Sequence, residues 1–314
     1  MDKYLLRLRQ AMSLQDKIKF TETRICQWVN EFGVDGVYVS FSGGKDSTVL
    51  LDIARKLYPD IEAVFVDTGL EYPEIKRFVQ SLKNVTILRP ELRFDKVIEK
   101  YGFPIISKEV SDAVDQGKRN ISEGKLNTMR LQKLRGTLKD NKGNPSKFNR
   151  PKWGFLLDAP FKVSAKCCDV MKKRPAKLYY KKTGKKPIIG TMACESMIRE
   201  AKYLKQGCNG FKNKIPTSTP IGFWLEQDIL QYLYEKKIPY ASVYGDIVFE
   251  NGKYRTTGCN RTGCMFCGFG CHLENEPNRF QQMQKTHPIQ WDYCINKLGM
   301  GKVLDFINVP YSNK

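Results

Sequence analysis

Over the first hundred residues, blocks with the apolar spacing of amphipathic helices alternate with short runs of β-branched and aromatic residues. The short runs predict strands at 37–41, 61–66 and 85–88. The blocks around them predict helices at 15–32, 46–57, from Pro73 onward, and 94–101. This alternation predicts an α/β fold with a doubly wound parallel sheet, whose ligands lie at the carboxyl ends of the strands.

Beyond residue 110 the apolar pattern loosens and then returns. Residues from about 111 to 165 are basic and punctuated by glycines, with a turn signal at 140–145, and they predict an inserted segment of helices and loops. The later patterns predict helices at 166–180, 195–204, 220–233, 279–285 and 288–298, and a strand at 187–190.

The segment Ser42-Gly-Gly-Lys-Asp-Ser47 joins the first predicted strand to a helix. A turn of this kind points the unpaired N–H groups of the first helical turn at an anion. The two glycines let the backbone approach the ligand closely, while the lysine adds a cation and the serines add hydroxyl donors. The segment therefore predicts a phosphate cradle formed by Ser42, Gly43, Gly44, Lys45, Asp46 and Ser47.

The cradle is not a Walker loop, because Val39 stands where that motif has its first glycine and Asp46 follows Lys45. It resembles instead the pyrophosphate loop (PP-loop) of the ATP-pyrophosphatase and sulfonucleotide-reductase superfamily. In that group ATP is cut between its α and β phosphates. The resemblance implies a Rossmann-like domain of the PP-loop type that binds ATP and Mg²⁺. Lys45 would stabilise the charge on pyrophosphate, and Asp46 or Asp67 would help to place the metal.

Two further motifs resemble the phosphoadenylyl-sulfate reductase family, and together with the loop they extend the resemblance over roughly residues 35–270. Asp67-Thr-Gly-Leu-Glu-Tyr-Pro-Glu74 is similar to that family's second-strand motif, and residues 190–199 are similar to its later glycine-to-arginine motif. The resemblance implies nucleotide contacts from Asp67, Gly190, Glu195 and Arg199. Asp67 would reach nucleotide hydroxyls or a metal, or else cap the next helix. Arg199 would pair with a phosphate, or else only with Glu195, four residues earlier.

These observations predict three parts of the chain. They are an N-terminal helical segment at 1–34, a nucleotide-binding domain at 35–250 that carries the insertion, and a cysteine-rich region at 251–314. No apolar run approaches the ~20 residues of a membrane helix, and residues 1–7 lack the pattern of a signal peptide. We therefore expect a cytoplasmic protein without a membrane partner.

The net charge of +20 is concentrated in one region. Residues 108–186 hold 22 Lys or Arg against 7 Asp or Glu, which places +15 in a quarter of the chain. Such a field favours a polyanion, and nucleic acid is the commonest one. We expect tRNA or DNA to bind through residues 108–186; the alternative is that the charge serves solubility and nucleotide phosphates.

Ten cysteines in a cytoplasmic chain indicate metal or redox chemistry rather than disulfides. An adjacent pair followed far downstream by Gly-Cys-x-x-Cys resembles the ligand pattern of the cluster-bearing adenylyl-sulfate reductases. That resemblance implies a [4Fe–4S] cluster on Cys167, Cys168, Cys264 and Cys267. The alternatives are no metal at all, or a local iron–sulfur or zinc site on Cys259, Cys264, Cys267 and Cys271.

Two departures from the reductase pattern favour an enzyme that uses ATP. Sulfonucleotide reductases as a family carry a degenerate loop, because their nucleotide is already activated, and they end in a mobile tail with a nucleophilic cysteine. Here the loop is intact, and no cysteine follows Cys294. Cys271-His272 is the nearest imitation of the tail motif, and it lies close to the predicted cluster ligands.

The main functional hypothesis is an ATP-dependent enzyme that adenylates an oxygen of its substrate, releases pyrophosphate and inserts sulfur with the help of the cluster. It would resemble tRNA thiolation and DNA phosphorothioation proteins. Lys45 and Asp46 would act on the phosphates, the cluster or Cys271 would hold the sulfur, and a sulfur donor or reductant protein would be a partner. The alternatives are a sulfonucleotide reductase that makes sulfite, and a nucleotide and iron–sulfur protein that serves sensing or assembly without turnover.

Overall fold

The structure is a computed structural model that describes residues 2–313, and its backbone follows the alternation that the sequence predicts. The strands are β1 (Val37–Phe41), β2 (Ala63–Val66), β3 (Val85–Leu88), β4 (Ile105–Ile106), β5 (Lys186–Ile189), β6 (Asn209–Gly210), β7 (Thr217–Ser218), β8 (Ile247–Glu250), β9 (Lys253–Thr256) and β10 (Gly268–Phe269). The α-helices are α1 (Lys3–Gln10), α2 (Leu14–Phe32), α3 (Lys45–Leu57), α4 (Pro73–Ser81), α5 (Phe94–Tyr101), α6 (Lys108–Ser122), α7 (Met129–Arg135), α8 (Arg174–Thr183), α9 (Met197–Gln206), α10 (Glu226–Lys236), α11 (Arg279–Thr286), α12 (Pro288–Asp292) and α13 (Met300–Phe306). Short 3₁₀ turns at Pro151–Asp158, Ala193–Glu195, Ser242–Tyr244 and Cys271–Leu273 and π turns at Asp169–Lys173 and Tyr293–Lys297 complete the helical elements.

The chain divides into two compact units. Unit 1 comprises the chain up to Asp67, Glu71–Arg89 and Pro175–Thr262. Unit 2 comprises Thr68–Leu70, Pro90–Arg174 and the chain from Gly263 onward. These units do not follow the predicted segments 1–34, 35–250 and 251–314, because the basic insertion groups with the C-terminal helices and not with the sheet. Each helix of residues 2–313 is too short or too polar to cross a lipid bilayer.

Unit 1 contains a six-stranded sheet in the order β3-β2-β1-β5-β7-β6. Its neighbours pair in parallel, except β6 and β7, which are antiparallel. From β1 the chain runs outward through β2 to β3, and it later returns to place β5 on the other side of β1. The α/β fold with a mostly parallel sheet is therefore confirmed. The change of direction opens a crevice beyond the carboxyl ends of β1 and β5, where doubly wound sheets bind ligands.

The core of unit 1 ties helix α2 to helix α10 through both apolar and polar contacts. Trp28 of α2 and Trp224, just before α10, are fully buried, and the Trp224 indole N–H donates to Thr21 Oγ1 at 3.0 Å. The Lys17 ammonium, also buried, lies 2.6 Å from the Asp228 carboxylate. Because a buried charge must be paired to be tolerated, this ion pair fixes one helix against the other.

Unit 2 packs the basic insertion against the C-terminal helices. The Phe161 ring contacts those of Phe103 and Phe306, with centroids 5.9 and 5.4 Å apart. Strands β4 and β10 pair in parallel, and a Cβ added at Gly268 would lie 2.8 Å from the carbonyl oxygen of Pro104. Glycine is therefore required for the two short strands to meet.

Two helices begin or end away from their predicted positions. The pattern at 195–204 predicts a helix that includes Glu195, but Glu195 ends a 3₁₀ turn and α9 begins at Met197, where the Ser196 hydroxyl caps the Arg199 N–H. The helix predicted at 288–298 is instead α12 followed by a π turn. In both places a local cap or widened turn overrides the apolar spacing.

Candidate functional site

The loop between β1 and α3 has a conformation that requires glycine. Gly43 has φ +71°, and a Cβ built there would lie 2.7 Å from Ile75 Cγ2 on α4. Gly44 is the N-cap of α3 and has no side chain that could cap the first-turn amides. The N–H groups of Lys45, Asp46 and Ser47 therefore remain available to an anion at the helix N-terminus.

The loop serines brace the loop itself. The Ser47 hydroxyl donates to the Gly44 carbonyl at 3.0 Å and accepts from the Ser42 N–H at 3.2 Å. The Ser42 hydroxyl accepts from the Gly44 N–H at 3.3 Å and lies 3.0 Å from Ser47 Oγ. The sequence predicts that these hydroxyls donate to phosphate, whereas here they hold the backbone in the cradle shape.

Lys45 is the buried cation of the loop, with only 6% of its side chain exposed. Its ammonium donates to the Asn260 carbonyl at 2.8 Å and to the Glu226 carboxylate at 3.1 Å, and it lies 5.4 Å from the centre of the Tyr244 ring. Glu226 is 57% exposed, so an anion that enters the cleft can replace it without displacing buried groups.

A cleft of about 510 Å³ opens at this point, and it has the size of a small-ligand site. The ends of β1 and β5 and the start of α3 form its walls. Of the residues that the sequence predicts as nucleotide contacts, those that line it are Ser42, Gly44, Lys45, Asp46, Ser47, Gly190, Glu195 and Arg199. A Cβ at Gly190 would lie 3.3 Å from the Asp46 carbonyl oxygen and the Ser47 nitrogen, so glycine lets β5 approach the loop closely.

Two predicted residues do not line the cleft. Gly43 faces α4, as its contact with Ile75 shows. Asp67 ends the β2 side of the sheet and forms an ion pair with Lys76 at 2.8 Å. Asp67 does not cap α4 either, because the N-cap of that helix is Tyr72.

Glu195 holds two arginines at the rim of the cleft. Its carboxylate pairs with Arg199 and lies 2.9 Å from the Arg261 guanidinium, and it also accepts from the Met192 N–H at 2.9 Å. The predicted pairing of Glu195 with Arg199 is thus present, although a helix N-cap separates the two residues. Desolvation and the neighbouring Arg261 lower the pKa of Arg199. The two guanidinium groups share a single carboxylate, which leaves positive charge for an anionic ligand.

Asp46 is the acidic group of the cleft. Burial raises the pKa of its carboxyl group, and Glu226 adds to this effect, while Lys45, Arg261 and Arg199 oppose it. A buried carboxylate with a raised pKa is stabilised by a bound cation. Asp46 is therefore better placed than Asp67 to hold a metal ion beside a phosphate chain.

Sequence reasoning missed five cleft residues that come from distant parts of the chain: Glu226, Tyr244, Asn260, Arg261 and Thr262. The Tyr244 hydroxyl lies 2.5 Å from Thr262 Oγ1, and burial raises its pKa to about 12. Residues 260–262 follow Cys259 directly, and the cysteine spacing of this stretch concealed an Asn-Arg-Thr run that is rich in phosphate-binding side chains.

A second candidate site lies within unit 2, where four of the cysteines interact electrostatically. Burial raises the pKa of the Cys167 thiol, and the nearby Cys264, Cys168 and Cys267 raise it further. Within residues 2–313, no group of three or more His, Cys, Asp or Glu side chains is arranged to hold a metal ion. The four thiols are thus neighbours, spaced more widely than the ligands of one zinc ion, which all lie about 2.3 Å from the metal.

Cys271 is buried and weakly acidic. Its thiol donates to the Gly268 carbonyl at 3.1 Å, and burial raises its pKa to about 11. A thiol of this kind is largely protonated at neutral pH, which does not favour the predicted catalytic role. Cys259, the first member of the predicted local set, belongs to unit 1 and has Tyr72 as a hydrogen-bond partner there.

Comparisons with known proteins agree on one family. A family model described as the phosphoadenosine phosphosulfate reductase domain matches residues 36–144 and 137–268. An uncharacterized protein of Methanocaldococcus jannaschii is 26% identical over 263 residues, which cover 83% of this chain and 47% of that protein. The phosphoadenosine 5′-phosphosulfate reductase of Xylella fastidiosa is 41% identical over 61 residues, 19% of this chain and 25% of that protein.

Among solved structures, the phosphoadenylyl-sulfate reductase of Candida auris in its phosphate complex matches with a TM-score of 0.39 and 15% identity. The match covers 77% of this chain and 90% of that one. The chain spans about half the length of the Methanocaldococcus relative.

Proposed function

Because this chain belongs to the phosphoadenosine phosphosulfate reductase domain family, we propose that it binds an adenine nucleotide in the unit 1 cleft and that this nucleotide is ATP. The proposal rests on one observation above all. The complete Gly-Gly-Lys-Asp-Ser loop forms a cradle of free helix amides beside a buried lysine, and this cradle suits the two terminal phosphates that an already activated sulfonucleotide lacks.

In the proposed reaction, an oxygen of the substrate attacks the α-phosphorus, the bond to the bridging oxygen of the β-phosphate breaks, and pyrophosphate leaves. The first-turn amides of α3 and the Lys45 ammonium stabilise the charge that develops on pyrophosphate. Arg199 and Arg261 face the same cleft and orient the phosphate chain. The Asp46 carboxylate is the proposed Mg²⁺ ligand, because a cation offsets the cost of its burial. A sulfur nucleophile from a donor protein then displaces AMP from the adenylated oxygen.

We further propose that Cys167, Cys168, Cys264 and Cys267 hold a [4Fe–4S] cluster. Their mutual proximity supports this, and so does their spacing, since each thiolate of a four-iron cluster binds a different iron atom. When bound, the cluster would supply iron that can bind sulfur or carry electrons. A cytoplasmic location suits these ten free cysteines, since reducing compartments preserve thiols.

A second candidate function, reduction of a sulfonucleotide to sulfite, is favoured by the family and by the name of the Xylella relative. In that reaction the cleft would hold adenylyl sulfate or its 3′-phosphate, and a thioredoxin-like protein would supply electrons. The two proposals differ in the nucleotide that binds and in the product that forms, so one experiment separates them.

The test is calorimetric binding of ATP and of phosphoadenylyl sulfate, followed by product analysis with α-labelled ATP, bulk tRNA or DNA and a sulfide donor. We expect Mg²⁺-dependent ATP binding and the formation of AMP and pyrophosphate. Lys45→Ala should weaken ATP binding by about 1.5–3 kcal/mol, roughly ten- to a hundredfold, because one charge-assisted phosphate contact is lost.

Lys56→Ala is the matched control. Lys56 lies on the same helix, but its ammonium pairs with Asp52 at 2.8 Å and does not line the cleft. Equal losses in both variants would remove the loop from the argument. Tight binding of phosphoadenylyl sulfate without ATP binding, together with sulfite formation, would establish the reductase instead.

A further inference from the structure

Unit 2 contains a second cavity, formed by residues other than those of the nucleotide cleft. This hollow has a volume of about 450 Å³ and lies between the end of α5, the middle of α6 and the segment 162–166. Its charged lining consists of Lys100, Lys118, Arg119, Lys162, Lys166 and Asp115. Five cations thus face one carboxylate around a space large enough for a nucleotide.

The cations of the hollow fall into two groups. Lys118 is structural, because its ammonium donates to the carbonyls of Ala159 at 2.5 Å and Phe161 at 3.0 Å and so attaches α6 to the following segment. Arg119 is paired with Asp115 at 2.8 Å, which occupies the one carboxylate of the lining.

The other three lysines have little to neutralise them. Lys162 donates only to the Glu99 carbonyl at 3.2 Å, a neutral partner. Within residues 2–313, Lys100 and Lys166 have no hydrogen-bond or ion-pair partner for their ammonium groups, and Lys100 lies 5.4 Å from the centre of the Tyr101 ring. Three ammonium groups around one cavity repel each other, and an anion that binds between them removes this repulsion.

The lining also indicates which anion. Tyr101 adds an aromatic ring on which a base can stack, and Ser122 adds a hydroxyl donor. Around the hollow, residues 108–186 carry 22 basic and 7 acidic side chains, so the positive field extends well beyond one phosphate. A free nucleotide would use only the hollow, whereas a strand would also use its surroundings.

We propose that this hollow binds a phosphodiester of a single-stranded nucleic acid segment, with Lys100, Lys162 and Lys166 on the phosphate and Tyr101 beside a base. The inference deepens the proposed function, since it names the class of sulfur acceptor. It does not depend on ATP chemistry in unit 1, because it rests on residues of unit 2 alone.

The test is fluorescence anisotropy with a labelled single-stranded RNA or DNA oligonucleotide, titrated over a range of salt concentrations. The variant is the triple substitution Lys100→Gln, Lys162→Gln and Lys166→Gln. Its matched control is Lys285→Gln, Lys297→Gln and Lys302→Gln, three exposed lysines of the C-terminal helices in the same unit that carry the same charge. ATP binding and pyrophosphate release are measured in parallel to separate failure of this inference from failure of the proposed function.

We expect the hollow variant to lose roughly tenfold or more in affinity and the log–log salt slope to become shallower by about 0.7 for each lost phosphate contact on a single strand. The control should change by less than about twofold. Equal losses in the two variants would overturn the proposal, because charge alone would then account for binding. Complete competition by millimolar AMP would also overturn it and assign the hollow to a free nucleotide.

Should the triple variant unfold, the wild-type protein still decides the question. Acetylation of surface lysines is followed by mass spectrometry with and without the oligonucleotide. Protection of Lys100, Lys162 and Lys166, but not of Lys285, Lys297 and Lys302, supports the hollow. Equal protection of both sets, or of neither, contradicts it.

Discussion

Substitution of Gly43 by alanine tests whether the shape of the phosphate cradle depends on its contact with α4. The added Cβ meets two obstacles: a φ of +71°, and Ile75 Cγ2 at 2.7 Å with Val79 Cγ2 at 3.1 Å. Gly33 provides a matched control, since it has φ +76° and no atom of residues 2–313 lies within 4 Å of a Cβ built there. The two substitutions share the backbone strain, and only one adds the clash.

The expected magnitudes follow from these two terms. An alanine in the left-handed region costs about 1–2 kcal/mol, and we expect Gly33→Ala to lower the free energy of unfolding by that amount. Overpacking against Ile75 and Val79 adds about 1–3 kcal/mol, so Gly43→Ala should cost about 2–5 kcal/mol. Part of the clash is relieved by movement of the loop, and a displacement approaching 1 Å weakens a positioned phosphate contact by up to about a hundredfold.

Urea unfolding followed by circular dichroism measures the stability of both variants, and calorimetry measures their affinity for pyrophosphate and ATP. We expect Gly33→Ala to bind both ligands like the parent protein and Gly43→Ala to bind them at least tenfold more weakly. If the two variants lose the same stability and Gly43→Ala keeps full affinity, then the packing of α4 against the loop does not set the cradle, and the reasoning is wrong.

Three further predictions address other parts of the molecule. Asp46→Asn should raise the melting temperature at neutral pH, because burial raises the pKa of Asp46 and its charged form is disfavoured in the fold; the gain should vanish as the pH falls below the pKa of an unfolded aspartate, and a gain that persists in acid would contradict this account. Anaerobically purified protein should be brown and contain iron and sulfide, with colour lost in Cys264→Ser and kept in Cys26→Ser; stoichiometric zinc without iron after reconstitution would refute the cluster. Asp228→Ala should cost about 3–5 kcal/mol of stability by leaving the Lys17 ammonium buried and unpaired, whereas Lys17→Met with Asp228→Leu should cost far less, and urea midpoints that coincide would argue against the buried pair.

The sequence predicts those parts of the fold whose pattern is local. Strand β3 and helix α5 begin and end at the predicted residues, since polar or turn residues bound each run sharply. The loop after β1 is equally local, because glycine and helix-start signals adjoin within six residues. By contrast, β4 and β10 have two residues each, too few for any periodicity, and only their pairing in space defines them as strands.

The cleft divides in the same way between local and distant contributions. Lys45, Gly190 and Arg199 belong to short motifs that are recognisable from sequence, and all three line the cleft. Tyr244 and Arg261 reach it only because the fold returns the chain to the loop some two hundred residues later. The serines show a further limit, since a hydroxyl in a phosphate loop predicts a ligand contact, but its actual partners depend on backbone geometry that the motif does not specify.

The charges of the cleft explain why a polyphosphate with a metal suits it better than a single anionic group. Lys45 has Glu226 as its ionic partner, and the exposure of Glu226 makes that pair weak. Arg199 and Arg261 share Glu195, so one positive charge remains at the rim. Asp46, between these groups, is destabilised by its own burial. A chain of phosphates can engage the lysine and both arginines together, and its metal ion can lie against Asp46. A lone sulfate or phosphate can meet the lysine or the arginines, but it leaves the buried carboxylate without a counter-charge.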